Sequence, residues 1–153
     1  MIFDRTQNDV DTAIRLRDEK VKTFKGLTES EIATLEKGTL TINTLNRIET
    51  KQEELKNLFN DMGYYNTPIQ NKTWEYTECF KENELQRILN NLNVLRNAFF
   101  VYTDTPGTPP ISFHYENINA LEKVLFDIET MLNDMIDRFR ECGTFECGEE
   151  NEN

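Results

Sequence analysis

Carboxylates are the commonest reactive groups of this chain: 28 acidic side chains stand against 17 basic ones and a single histidine. Spacing singles out two of them. Glu49 and Glu122 each follow an asparagine by three residues, Asn46 and Asn119, and the two pairs align at an offset of 73 residues. Facing carboxylates can divide general acid and general base work between them. Beside an apolar helix seam, however, carboxylates usually carry solvated or salt-bridging charge, and asparagines bond to backbone at helix starts or set register. The structural reading is the one expected for Glu49, Glu122, Asn46 and Asn119.

Other chemistries find less support. Thiol catalysis would need His114 beside a cysteine such as Cys79. Cys142 and Cys147 could pair or help hold an ion, but three cysteines and one distant histidine do not have the spacing of a zinc site. The six glycines are scattered rather than clustered into a phosphate cradle, no G-x-S-x-G elbow occurs, and one histidine cannot furnish two Glu-x-x-His motifs. No catalytic residue, cofactor or metal is expected, and the chain reads as non-enzymatic.

The formal charge of −11 repels phosphate backbones, and no Lys/Arg stripe offsets it. Nucleic acid and anionic membranes are therefore poor partners. Asp4, Arg5, Asp9, Asp11, Arg15 and Arg17 leave no room for the apolar region of a signal peptide, and the longest apolar run is Ala98 to Tyr102, so folding in a cytoplasm is expected. Leu, Ile, Val and Phe supply 40 of the 153 residues. That is enough for a folded chain and, with a mean hydropathy of −0.66, for one domain with a thin core.

The elements that must position these groups read as helices. Thr6 with Asp9 caps a first helix carrying Val10, Ala13, Ile14, Val21 and Phe24 on one face, stopped by Gly26. Thr28 with Glu31 has capping-box spacing for a short second helix over about 29–37, with Gly38 ending it in the left-handed conformation. Three heptad-spaced segments follow. The first, 43–62, carries Leu45, Ile48, Gln52, Leu55, Phe59 and Met62, with Gly63 as its stop. The second, 82–102, carries Leu85, Ile88, Leu92, Leu95, Phe99 and Tyr102. The third, 115–140, carries Ile118, Leu121, Leu125, Ile128, Leu132, Met135 and Phe139. The economical assembly is all-α: three long antiparallel helices, up-down-up, with the N-terminal helix and the short second helix added. Gln52, at a core position, needs a hydrogen-bond partner or a swing toward solvent. Residues 1–140 read as one helical domain and 141–153 as a flexible or partner-held tail. The third and fourth segments also align at an offset of 40, sharing Arg47 and Arg87, but a common heptad accounts for most of this similarity.

The connections are rich in proline and aromatic residues. Tyr64, Tyr65, Trp74, Tyr76 and Phe80 fall between the first two long helices. Phe113, His114 and Tyr115 follow the proline-rich 103–112, and Phe145 lies in the tail. Rings supply much of the energy of protein interfaces, so Tyr64, Tyr65, Trp74, Tyr76, Phe80, Phe113, Tyr115 and Phe145 form the candidate contact surface. A satellite core at one end of the bundle is the competing role for the same rings.

Several stretches resemble small helical structural proteins, associated with tail, baseplate or fibre, of phages and prophages of Firmicutes. They are Asp4-Arg-Thr-Gln-Asn-Asp-Val10, Lys37-Gly-Thr-Leu-Thr41 with Leu45-Asn-Arg-Ile-Glu49, Asn90-Asn-Leu-Asn-Val-Leu-Arg96, Leu121-Glu-Lys-Val-Leu-Phe-Asp-Ile128 and Cys142-Gly-Thr-Phe-Glu-Cys-Gly-Glu149. They span nearly the whole chain and are packing and turn patterns, so no catalytic residue carries over. The resemblance implies a structural or adaptor subunit of a virion, assembled in the bacterial cytoplasm with other virion proteins or as a homo-oligomer or ring. The alternatives are a small acidic binding or regulatory protein and, behind it, a carboxylate- or thiol-dependent enzyme.

Overall fold

The computed structural model describes all residues except 24, 25, 66, 67, 76, 99, 113 and 142–153, and of 139–141 the backbone alone. The described residues form five helices and no strand: α1 (Gln7–Thr23), α2 (Glu29–Gly38), α3 (Ile42–Asp61), α4 (Glu82–Ala98) and α5 (Tyr115–Glu141). Phe24, Phe99 and the tail with Cys142, Phe145 and Cys147 lie outside the described residues, and so does the side chain of Phe139.

Local sequence accounts for most helix ends. The Thr6 backbone N–H donates to the Asp9 carboxylate at 2.8 Å, and the Asp9 N–H donates to the Thr6 hydroxyl at 3.3 Å. Thr28 and Glu31 close the expected capping box, with the Thr28 N–H donating to the Glu31 carboxylate at 2.8 Å. Gly63 follows α3 with φ +88°, the left-handed conformation that glycine adopts without strain. Gly38 has a different reason from the one expected. It is the last residue of α2, is buried, and is not in the left-handed region. A Cβ there would collide with the Asp9 carbonyl oxygen and the Ala13 methyl group, so glycine serves the close crossing of α2 over α1. α4 ends at Ala98, about a turn early, because the aromatic and β-branched residues that follow are weak helix formers.

α3, α4 and α5 pack against one another around one core. Its members include Leu45, Ile48, Leu55 and Phe59 of α3, Leu85, Ile88, Leu92 and Leu95 of α4, and Leu121, Leu125, Ile128 and Leu132 of α5. These are the heptad positions read from sequence.

The antiparallel arrangement expected from economy is not what the contacts show. Arg47 and Lys51 of α3 pair with Glu122 and Glu129 of α5, so both helices advance in the same direction. Glu49 pairs with Arg87, and Gln52 bonds to Ile88 and Asn91, so α4 also runs parallel to α3. The connections make this possible. In 62–81, Asn71, Lys72 and Trp74 meet Glu53, Glu49 and Asn46, so the chain travels back along the length of α3 before α4 begins. In 99–114, Arg96 donates to the Pro106 carbonyl and Thr108 bonds to Asn93, and the chain retraces α4. A 20-residue helix is about 30 Å long, a span that about nine extended residues can cover. Heptad spacing is the same in either orientation. The length of the connections is what allows the parallel one.

α1 and α2 form an antiparallel hairpin inserted between the N-terminal segment and α3. They pack chiefly on each other. Lys37 pairs with Asp4 and Asp9 at the base of the hairpin, and Lys20 pairs with Glu31 toward its tip.

Candidate functional site

A non-helical segment lying in a helix groove must have its peptide groups satisfied, and neighbouring helices have no free backbone groups to offer. Asparagine side chains take that part. Asn46 of α3 accepts from the Trp74 N–H at 2.7 Å and donates to the Trp74 carbonyl at 3.1 Å. Asn91 of α4 does the same for Gln70, at 3.1 and 2.8 Å. Asn119 of α5 does it for Arg5, at 3.3 and 2.9 Å. In each case one primary amide brackets the N–H and C=O of one residue, as the adjacent chain of a sheet would. Asn46 and Asn119 bond to backbone as expected, but to segments distant in sequence rather than at helix starts.

One turn further along, Glu49 and Glu122 complete two of these grooves. They are not solvated: their exposures are 2% and 0%. Glu49 accepts from Trp74 Nε1 at 3.1 Å, from the Lys72 backbone N–H at 3.3 Å, and from both terminal nitrogens of Arg87. This fork geometry is the strong form of the Arg–carboxylate contact. The Arg87 guanidinium is held above its ordinary range, first by its bond to Glu49. Glu122 accepts from the Ile2 N–H at 2.6 Å, Arg5 Nη1 at 3.0 Å and Arg47 Nη2 at 2.8 Å. The two carboxylates do not face each other. Each neutralises an arginine from the next helix, Arg47 on α3 and Arg87 on α4, and each ties down a non-helical segment. Glu49 accepts four hydrogen bonds and Glu122 accepts three. The second groove has two guanidiniums for one carboxylate, and Arg5 Nη2 and Arg47 Nε find no acceptor among the described residues.

Gln52, fully buried, donates to the Ile88 carbonyl at 2.9 Å and accepts from Asn91 at 3.1 Å, the bonded alternative of the two expected.

The aromatic candidates separate. Trp74 is 3% exposed and belongs to the core, so its place on the contact surface is corrected. Sequence showed an indole in a loop; the fold carries that loop back into the α3–α4 groove, where Glu49 takes the indole N–H. Phe80 packs on Trp74 with ring centroids 5.2 Å apart, and Tyr64 packs on Phe59, both half-buried against the core. Tyr115 is half-buried and stacks on His114 at 4.8 Å. Tyr65 is 81% exposed. Tyr76, Phe113 and Phe145 lie outside the described residues. Cys79 is exposed, and the imidazole of His114 lies 3.6 Å from Glu116. Among the described residues no three His, Cys, Asp or Glu side chains group as a metal site, and no helix is long and apolar enough to cross a membrane.

Sequence reading did not single out several exposed apolar side chains as contacts: Ile14, Val21, Leu27, Ile32, Phe100, Ile111 and Phe126. Ile14 and Val21 were placed on an apolar face but not left uncovered. Parallel packing sorts most of these residues to the two ends of the bundle. Tyr65 follows α3 and Phe100 follows α4, so both lie at the end where those helices finish. The hairpin, with Ile14, Val21, Leu27 and Ile32, springs from the end where the helices begin, and Ile111 precedes α5 there. No family model, curated protein or solved structure matches the chain.

Proposed function

We propose that the chain is a non-enzymatic structural or adaptor subunit of a bacteriophage virion, in the tail or baseplate region, working through protein–protein contacts. The observation that carries the reading is the placement of exposed apolar side chains at opposite ends of a bundle whose loops are tied down by buried charge. Interfaces centre on such side chains, and a rigid connector needs contacts at both ends. The carboxylates that looked most capable of chemistry are consumed in holding loops, which supports a mechanical role. The phage assignment itself rests on the sequence resemblance.

The test is compositional. Particles are induced from a bacterium carrying the gene, purified through a density gradient, and probed for the chain by immunoblot and quantitative mass spectrometry. The expected result is a constant copy number per tailed particle. Absence of the chain from purified particles that contain their other structural proteins overturns the reading.

A further inference from the structure

The α1–α2 hairpin turns one apolar face toward the end of the bundle from which it springs. Ala13 and Lys20 are the α1 positions that meet α2, at Gly38 and Glu31. In an antiparallel pair, a turn of roughly 60–100° past the facing positions brings side chains of both helices to the same side. Val10, Ile14 and Val21 of α1 and Ile32 of α2 stand there. The base of this face already forms one wall of two clefts. The first, of about 240 Å³, lies between Ile32 and Leu35 of α2 and Ile42 of α3. The second, of about 300 Å³, lies between Val10 of α1 and Tyr115 and Ile118 of α5. Farther out on the face, Ile14 and Val21 are 38% and 66% exposed.

The attachments let this face move. Asn119 brackets Arg5, so only Thr6 stands between that fixed point and α1. On the other side Thr39–Thr41 joins α2 to α3, with Thr39 and Thr41 in extended conformation. Short segments of this kind, at the ends of elements, are where hinges form. The hairpin itself is one stiff piece. Gly38 crosses α1 with no room for a Cβ, and Lys20 pairs with Glu31 across the seam. Among the described residues, two polar links run from it past the hinges. Lys37 pairs with the exposed Asp4 at 3.3 Å, and the Asn43 amide donates to the Glu36 carboxylate. Both lie in contact with water, where such links hold weakly.

We propose that the hairpin is a lid, which rotates as a unit about the line through Thr6 and Thr39–Thr41 and closes its apolar face onto the first turns of α3 and α5. The two clefts lie on one side of the hairpin, so one rotation closes both and removes their apolar walls from water, which favours closure. It also draws Ile14 and Val21 toward the bundle. What covers the face is the chain's own bundle end, whose side chains already form the opposite walls. Opened, the lid offers these side chains to a partner at that end; closed, it withholds them.

The inference goes beyond the virion reading and does not depend on it. It is tested on the full-length chain carrying Cys79→Ser, Cys142→Ser and Cys147→Ser, by pulsed electron paramagnetic resonance between two spin labels. One label is attached through Glu19→Cys, exposed on the outer side of α1, and the other through Asn57→Cys, exposed on α3. A second pair, Asn57→Cys with Asn90→Cys of α4, reports on the bundle alone. The expected result is two distances for the first pair, the shorter from the closed lid, and one narrow distance for the second. Ile32→Asp places an unpaired charge in the closing face and should lower the shorter population by about tenfold. Val21→Asp, at a position 66% exposed, should act in the same direction, and it decides the matter if Ile32→Asp reduces the far-UV circular dichroism. A single narrow distance between positions 19 and 57 overturns the proposal, since the hairpin then has one position. So does a spread of distances indifferent to both Asp variants, since the hairpin then swings without closing.

Discussion

Glu49 and Glu122 show how burial changes what a residue type does. An exposed carboxylate beside a helix seam contributes at most about 1 kcal/mol through an ion pair. These two are withdrawn from water and held by arginines and backbone N–H groups, and removing the charge takes the buried carboxylate partner from Arg87 in one case and from Arg5 and Arg47 in the other. Glu49→Gln and Glu122→Gln are each expected to lower unfolding stability by about 2–4 kcal/mol. That lies below the extreme for a buried pair because Arg87 and Arg47 keep 21% and 27% of their side-chain surface in water. Gln52→Leu should change stability by less than about 1 kcal/mol. It orphans nothing: the Asn91 amide keeps the Gln70 carbonyl and the Asn71 side chain as acceptors. Urea titration of the three variants checks the contrast, and equal losses would contradict it.

Among the elements, the α1–α2 hairpin has the least apolar burial to set beside its ion pairs. Among its described residues only Ala13 and Gly38 are buried. The Glu31 carboxyl lies at about 2, down from its ordinary 4.5, held there first by its bond to the Lys20 ammonium and then by the Thr28 backbone N–H. Asp9 is lowered from 3.8, chiefly by its bonds to Thr6. Both groups are more acidic folded than unfolded. Their contribution is therefore complete above about pH 4.5 and disappears as pH falls toward about 2. Hydrogen-exchange protection factors of peptides from 7–38, corrected for the intrinsic rate at each pH, should fall on acidification through that window, while peptides from α3 and α4 remain protected. Glu31→Gln should flatten the hairpin's dependence. Uniform deprotection of the whole chain would show instead that hairpin and bundle open together.

For the whole molecule, the parallel course of α3, α4 and α5 decides which of the described aromatic rings are internal and which are exposed. Trp74→Ala should cost about 3–5 kcal/mol in the free subunit, since it empties a core site and strips Glu49 of a donor. Tyr65→Ser should leave the melting temperature unchanged, because its ring is 81% exposed, and, if the proposed function holds, should lower incorporation into particles. Thermal melts and particle immunoblots of both variants make the comparison. Normal incorporation of Tyr65→Ser would remove that ring from the contact surface.

Sequence alone determined the helices, the caps at Thr6 and Thr28, the stop at Gly63 and the heptad core, because each depends on neighbours within about seven residues. It also showed the Asn–Glu repeat at an offset of 73 and the arginines at an offset of 40, but not their purpose. The partners of Asn46 and Glu49 lie 23–38 residues away, and those of Asn119 and Glu122 lie 75–120 residues away. No local pattern encodes such distances. Orientation was equally hidden, since a heptad stripe packs with either polarity and only the path of the connections chooses. That choice was tertiary. It drew Trp74 into the core, left Tyr65 and Phe100 at one end, and placed the hairpin at the other.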